Sequence, residues 1–273
     1  MFDQSAEDPE IQRLLEAIYT RYHYDFRGYS RASLRRRLNA AKVRLGVETL
    51  SVLEEKILAD PHTFARLLQF LTIQVSDMFR DPTFFLALRR KVVPELYTYP
   101  SIKIWIAGCS TGEELYSYAI LLREEGLLAR TTLYATDINP EALRKAEQGV
   151  YPIARVPSFT ENHRLSGGKS SLSEYYTAGY GSAAFDRTLR KNVVFSDHSL
   201  ATDSVFAEVQ LVSCRNVLIY FDHSLQDRAL GLMKDALCRR GFLGLGSKEG
   251  LIFSRHASEF KEFVPGERWF QRC

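Results

Sequence analysis

The residues best suited to chemistry stand where an apolar run meets a turn of small side chains. Ile102, Ile104, Trp105, Ile106 and Ala107 suit a strand covered on both faces, and Gly108, Ser110 and Gly112 follow before a helical pattern sets in over 113–125. Glycines at such a turn let a ligand approach the main chain. Asp137 lies 29 positions beyond Gly108, at the end of the next apolar run, 131–136. At the tip of the second strand of a βαβ unit a carboxylate accepts hydrogen bonds from both hydroxyls of a ribose. Two plainer readings stand beside this one. The turn lacks the full dinucleotide fingerprint and also suits an ordinary tight connection, and Asp137 also fits as the cap of a helix starting near Pro140. Taken together, turn and acid favour nucleoside binding.

Charge is the second chemical feature. Residues 21–44 carry Arg21, Arg27, Arg31, Arg35, Arg36, Arg37, Lys42 and Arg44 against one acid, Asp25, although the net charge of the whole chain is only +3. A solvated helix face, a nucleic acid or an acidic protein helix would each account for this face. No aromatic residues alternate with the arginines of 31–44, which weakens a single-strand nucleic-acid platform. Cys109, Cys214, Cys238 and Cys273 are scattered, and the six histidines show no ligand spacing, so neither a redox pair nor a metal centre is expected.

The elements that must position these residues follow from periodicity. Apolar stripes at Ile11, Leu14, Leu15, Ile18, then Leu34, Leu38, Ala41, Leu45, then Leu50, Leu53, Ile57, then Phe64, Leu67, Leu68, Leu71 predict four short helices over 11–71. Residues 72–80 form a polar connection, and Asp81-Pro82 marks a helix start. Beyond a helix at 140–148, residues 149–191 lose helical periodicity and read as an insertion, with 174–177 and 188–191 pairing as an antiparallel ribbon. Strands are expected at 193–195, 205–213, 242–246, 251–254 and 268–272, the last antiparallel, with a helix at 224–239 ending at Gly241. That gives about seven strands with helices between the early ones, an α/β sheet whose ligand belongs at the carboxyl ends, near 197–200 and 214–216.

The 273 residues suffice for a substantial core. No apolar run approaches the ~20 residues of a membrane span, and the polar start at 1–10 is no secretion signal. The sequence therefore reads as cytoplasmic, with no direct membrane insertion.

Four blocks then carry a resemblance: Ser-Asp-Met-Phe-Arg at 76–80, Trp-Ile-Ala-Gly-Cys-Ser-Thr-Gly-Glu-Glu-Leu-Tyr-Ser at 105–117, Ala-Thr-Asp-Ile at 135–138 and Cys-Arg-Asn-Val-Leu-Ile-Tyr-Phe at 214–221. In this order they resemble the chemotaxis receptor methyltransferase family, CheR, over roughly residues 11–272. The resemblance implies a seven-stranded, mostly parallel Rossmann-like methyltransferase sheet with an N-terminal helical bundle and a small antiparallel β-subdomain. It divides the chain into a basic substrate-recognition domain (1–71), a linker that contributes to the cofactor site (72–90) and a methyltransferase domain (91–273) with its insertion at about 155–192. It implies S-adenosylmethionine as cofactor, S-adenosylhomocysteine as product, and esterification of glutamates on the cytoplasmic helices of chemoreceptors.

Carried over by position, the cofactor contacts fall on Gln74, Ser76, Arg80, Gly108, Glu114, Asp137, Ser199, Leu200, Arg215 and Asn216. Gln74 and Ser199 stand where the best-known members have asparagines; both still donate and accept hydrogen bonds, and Asp197 and His198 stand beside Ser199 to share its work. Arg80 and Arg215 are expected to steer carboxylates through bidentate contacts, and Tyr220 to close the pocket on the incoming glutamate. Arg35, Arg36 and Arg37 are expected to draw the acidic substrate helix. The loop around Gly179 and Gly181 is shorter than in members that grip a receptor's C-terminal peptide, so no tethering peptide is expected. Methylation of a nucleic acid or small molecule, or a cofactor-binding module without turnover, are the competing readings. No Asn or Asp followed by Pro-Pro and an aromatic follows the 205–213 run, which speaks against the nucleic acid.

Overall fold

The computed structural model describes the backbone of residues 4–273 and the side chains of residues 9–273; the reading of the chain's first three residues lies outside that range. The chain divides into two compact units. One holds the residues up to Ile73 with Ser199–Asp203 and Tyr220–Ala229, the other Gln74–His198, Ser204–Ile219 and Leu230–Cys273.

The first unit contains four helices, α1 (Gln4–Tyr22), α2 (Arg31–Leu45), α3 (Leu50–Ala59) and α4 (Pro61–Leu71). Their ends have local causes. Gly46 takes the left-handed conformation (φ 65°) that closes α2, Thr49 Oγ1 accepts the Val52 N–H at the start of α3, and the Asp60 carboxylate accepts from His62 and Thr63 ahead of α4, with Pro61 in its first turn. The expected stripes are buried, Leu14, Leu15, Ile18, Leu34, Leu38, Leu53, Ile57 and Leu67 among them, except for Leu45 at the end of α2, which is half-buried. Each fully buried leucine contributes on the order of 2 kcal/mol. The segment 220–222 is laced to residues 28–30 by two main-chain bonds, Ser30 N–H to the Tyr220 carbonyl and Asp222 N–H to the Gly28 carbonyl, both 2.8 Å. A stretch remote in sequence thereby becomes part of the helical unit.

The second unit opens with α5 (Pro82–Ala87), a π-helical stretch Leu88–Val92 and α6 (Val93–Leu96). Then come β1 (Ile102–Ala107), α7 (Glu113–Glu124), β2 (Thr131–Asp137), α8 (Pro140–Gln148), β3 (Val150–Pro152), α9 (Val156–Leu165), β4 (Tyr176–Gly179), β5 (Ser182–Phe185), β6 (Val193–Asp197) and β7 (Val209–Cys214). Helix α10 (His223–Ala236), which runs from the first unit's segment into the second's, precedes β8 (Leu237–Leu245), β9 (Phe260–Val264) and β10 (Trp269–Arg272). The main sheet has the order β6-β2-β1-β7-β8-β10-β9, and β10 alone runs against the others. This is the expected seven-stranded, mostly parallel sheet. Strand order reverses at β1, which pairs with β2 on one side and β7 on the other, so a crevice opens at their carboxyl ends.

Several expectations need correction. Residues 149–191 contain a helix, α9, and the small sheet has the order β3-β5-β4. Its hairpin joins β4 to β5 through Tyr180 and Gly181, both at positive φ (49° and 72°), the geometry of a tight two-residue turn. Residues 188–191 lie instead in a 3-10 turn and its end, which Asp186 caps by accepting the Thr188 N–H, so they do not pair with 174–177. Residues 251–254 form a turn closed by Ser254 N–H on the Leu251 carbonyl, and Phe260–Val264 supplies the edge strand in their place. Its central Lys261-Glu262 hid it, although charges suit a sheet edge. Helix α10 stops at Ala236, three residues early, because β8 starts at Leu237 with an irregularity around Arg240 (φ 62°). Strand β7 begins at Val209, and residues 204–208 before it stay irregular, with Phe206 against Trp105 and Tyr134.

Candidate active site

At the end of β1 the backbone turns sharply through Gly108 (φ 71°), Ser110 (φ 51°) and Gly112 (φ 92°) into α7. A Cβ on Gly108 would stand 2.6 Å from Val217 Cγ2, and one on Gly112 2.8 Å from the Ala146 backbone, so glycine is required at both. Asp137, at the tip of β2, is 8% exposed. Its Oδ2 accepts the Ser110 N–H at 2.8 Å and its Oδ1 the Asn139 N–H at 2.9 Å. The helix cap is therefore not Asp137 but Asn139, whose side chain accepts from Glu141 and Ala142. Each Asp137 oxygen keeps a lone pair, two acceptors in all, as a ribose diol needs. Burial raises the Asp137 carboxyl above its ordinary 3.8, against the pull of the Asn139 and Ser110 amides.

Residues 74–81 are strapped to this unit rather than loose. Gln74 Oε1 accepts from Ser110 Oγ at 2.7 Å, so Gln74, Ser110 and Asp137 form one chain of bonds. The Ser76 carbonyl takes an Arg155 N–H, Asn162 Nδ2 donates to the Met78 carbonyl at 3.0 Å, and Phe79 N–H donates to Ser117 Oγ at 2.8 Å. Arg155 also grips Glu113, whose side chain is wholly buried. Burial pushes the Asp77 carboxyl up, partly offset by Arg155.

The two arginines differ. Arg215, after β7, has a side chain only 1% exposed; Nη1 bonds Glu114 at 3.0 Å, and Nη2 bonds the Arg80 carbonyl at 2.7 Å and Asp81 at 2.8 Å. Its guanidinium also lies 4.1 Å from the Phe84 ring centroid. It is thus committed to the protein's own carboxylates, and the expected open clamp is not there. Asp81 makes this contact instead of capping α5. Glu114 is fixed from both sides, since Ser213 Oγ donates to it at 2.6 Å. Arg80 is half-buried with one long bond, 3.3 Å, to the Val75 carbonyl, which leaves its fork available.

Asn216 is left-handed (φ 61°), and its N–H donates to Glu249 at 2.9 Å. Glu249 also accepts from Val217, Ile219 and Gly246, so one carboxylate, 5% exposed, holds the loop after β7. Burial raises its carboxyl above 4.5. Sequence reasoning missed Glu249, Arg155 and Ser110. Only Ser110 had a signal, its place in the glycine turn. Phe79, Asp81, Ser110 and Asn216 all sit at positive φ, a strain of ~1–3 kcal/mol each that the surrounding bonds must hold.

Ser199, Leu200 and Tyr220 belong to the helical unit. Ser199 N–H donates to Asp203 at 2.9 Å, its Oγ accepts from Ala201, and Leu200 is buried. Tyr220 lies under Arg37, whose guanidinium carbon is 4.6 Å from the ring centroid. Arg35, Arg36 and Arg37 do not share a face, since successive helical residues diverge by ~100°. Arg36 is exposed, Arg35 half-buried, and Arg37 6% exposed with one N–H on the Leu71 carbonyl.

The residues fit a nucleoside cofactor. The turn lets it approach the main chain where a Cβ on Gly108 or Gly112 would clash, and Asp137 keeps its ribose acceptors. Burial pushes the Cys109 and Cys214 thiols well above their usual range, which removes them as nucleophiles. Among the described residues no cluster of His, Cys, Asp and Glu could hold a metal, and no helix is long and apolar enough to cross a membrane.

Sheet, turn and carboxylate define an α/β methyltransferase site. Residues 74–265 match the CheR methyltransferase SAM-binding domain and residues 9–72 the CheR all-alpha domain, so the chain belongs to the CheR methyltransferase family and uses S-adenosylmethionine. It is 58% identical to Cher3 of Pseudomonas putida over 272 residues, 100% of each chain. It is 31% identical to chemotaxis protein methyltransferase 2 of Pseudomonas aeruginosa, over 84% of this chain and 79% of that protein, and 27% identical to the chemotaxis protein methyltransferase of Salmonella typhimurium, over 95% and 87%.

Proposed function

We propose that this S-adenosylmethionine-dependent enzyme esterifies glutamate side chains on the cytoplasmic helices of chemoreceptors. One observation carries the choice of substrate. Helix α2 contains no acid, and Arg36 and Arg44, eight residues and about 80° apart round the helix, are exposed on one side of it, a surface suited to a glutamate-rich helix. Because its substrate is a cytoplasmic helix, the enzyme works in the cytoplasm.

Bound S-adenosylmethionine supplies an electrophilic methyl group on a sulfonium. A glutamate with pKa near 4.3 is already ionised at pH 7, so the chain needs no general base. Its residues align the carboxylate with the methyl group and exclude water. Asp137 holds the ribose, and Arg80, with its free fork, holds a carboxylate. Arg215 acts through others, fixing Glu114 and the 80–81 backbone, while Tyr220 donates a hydrogen bond to the incoming glutamate. The two-residue β4–β5 turn supports activity without a tethering peptide, because it offers no extended glycine-rich loop.

Radiolabelled methyl transfer to receptor-containing membranes, followed by mild alkali, tests the reading. Volatile methanol is expected from a carboxyl ester, whereas alkali-stable label would point to nitrogen and remove it.

A further inference from the structure

Arg155 ends a short 3-10 turn between β3 and α9, in the inserted segment, yet its guanidinium bonds two stretches outside that segment. Nη1 donates to Oε1 of Glu113, the first residue of α7, whose side chain is wholly buried. Nη2 donates to the Ser76 carbonyl and lies 3.4 Å from Asp77 Oδ1. The Phe159 ring, one turn along α9, lies 4.8 Å from the guanidinium and helps to fix its direction. Glu113 is tied in turn to the glycine turn, because Thr111 Oγ1 donates to its other oxygen at 2.6 Å. Two residues of α9 reach the same stretch of chain. Asn162 Nδ2 donates to the Met78 carbonyl at 3.0 Å, and the His163 ring packs on Phe79 with centroids 4.9 Å apart. Residues 76–79 thus lean on the inserted segment, one after another.

We infer that Arg155 is a positioning residue for the cofactor: standing between Glu113 and Asp77, it holds the 74–80 segment, with Gln74, Ser76 and Arg80, against the glycine turn. The inference rests on the cofactor assignment and on the contacts expected of those three residues, and it gives the inserted segment a part in cofactor capture that involves no receptor. Every bond of Arg155 is to a protein group, so its effect passes through residues 76 and 77 and the turn. A guanidinium suits the place, since its rigid fork serves two acceptors at once. Its charge matters as much as its shape. Among the described residues neither carboxylate has another ion pair. Burial pushes the Asp77 carboxyl up and the Glu113 charge adds to this, while Arg155 pulls it down. Without Arg155 the buried Glu113 would lose its counter-charge and repel Asp77, driving the 74–80 segment away from the turn.

Calorimetry of S-adenosylhomocysteine binding and amide hydrogen exchange, both on the full chain, test this. Arg155→Ala should weaken binding roughly tenfold. In the free chain it should also speed exchange of the Phe79 amide, which donates to Ser117 Oγ at 2.8 Å. Arg155→Lys keeps a cation between the carboxylates but loses the fork, so it should fall between the alanine variant and the wild type, and it carries the comparison if the alanine variant folds poorly. Arg155→Ala combined with Asp77→Asn should bind several-fold more tightly than Arg155→Ala alone, because the amide removes the repulsion; a loss of packing would show no such recovery. Affinity and Phe79 exchange unaltered by either single substitution, or a double variant no tighter than Arg155→Ala, overturns the inference while the cofactor assignment stands. Failure of the wild-type chain to take up S-adenosylhomocysteine overturns both.

Discussion

The guanidinium of Arg37 lies over the ring of Tyr220, 4.6 Å from its centroid, and donates one N–H to the Leu71 carbonyl. Burial lowers the Arg37 pKa, and two of its nitrogens have no hydrogen-bond partner. Arg37 is therefore a buried prop for Tyr220, while Arg36 next to it faces solvent. Arg37→Ala should destabilise the protein by about 1–2 kcal/mol in denaturant titrations, through loss of a desolvated cation–π contact and a hydrogen bond. Arg36→Ala should leave stability within ~0.5 kcal/mol yet lower receptor methylation most at low salt. Equal effects of the two substitutions on stability would contradict this division.

Asp137→Asn should weaken S-adenosylhomocysteine binding roughly tenfold, because an amide offers one acceptor oxygen where the ionised carboxylate offers two. The pH dependence has a definite sign. Burial raises the folded carboxyl above 3.8, so on acidification Asp137 gains its proton before an ordinary aspartate would, and affinity should start to fall above pH 3.8. Titration calorimetry across pH should find that part of the profile flattened in Asp137→Asn.

Glu249→Ala would leave the amides of Asn216, Val217, Ile219 and Gly246 without their shared acceptor. A cost of about 3 kcal/mol or more is expected in thermal or denaturant unfolding, since each stranded buried amide costs ~1–3 kcal/mol and water recovers some of it. Cofactor affinity should fall with it, as Asn216 loses its anchor. A variant with wild-type stability would show that the loop holds its shape without the carboxylate.

Glu124 joins a buried cluster in which Arg89 donates at 2.6 Å and His163 lies at 2.9 Å. Burial alone would push its carboxyl up, but the bonds from His163 and Arg89 outweigh that and hold it at about 2, below its ordinary 4.5. A depressed carboxyl stabilises the fold fully above its unfolded value, so this contribution should be complete above about pH 4.5 and vanish as pH falls towards 2. Glu124→Ala should cost about 1–3 kcal/mol at neutral pH, because His163 loses its carboxylate partner while Arg89 keeps only Glu125, with a flatter acid limb in stability measured against pH.

Addition of a receptor's C-terminal pentapeptide should raise neither methylation rate nor measured affinity, given the two-residue hairpin turn at Tyr180 and Gly181. A saturable heat of binding for that peptide would refute tether independence.

The stripes of α1 to α4, the β1–turn–α7 unit and Asp137 at the tip of β2 were all legible in the sequence, because periodicity, glycine and chain order are local properties. So was the membership of the chain in its family, carried by four short blocks. Tertiary structure alone decided which charges are available. Arg215 and Arg80 look alike as sequence, yet Glu114 and Asp81 consume one and leave the other its fork. Arg36 and Arg37 are neighbours in sequence, but the ~100° step between successive helical residues sends one to solvent and the other over the Tyr220 ring. Glu249 gives little sign in its own neighbourhood, since three of the four amides it holds lie about thirty residues away. A charge's role depends on its partners and its dielectric surroundings, and both come from parts of the chain that meet only on folding.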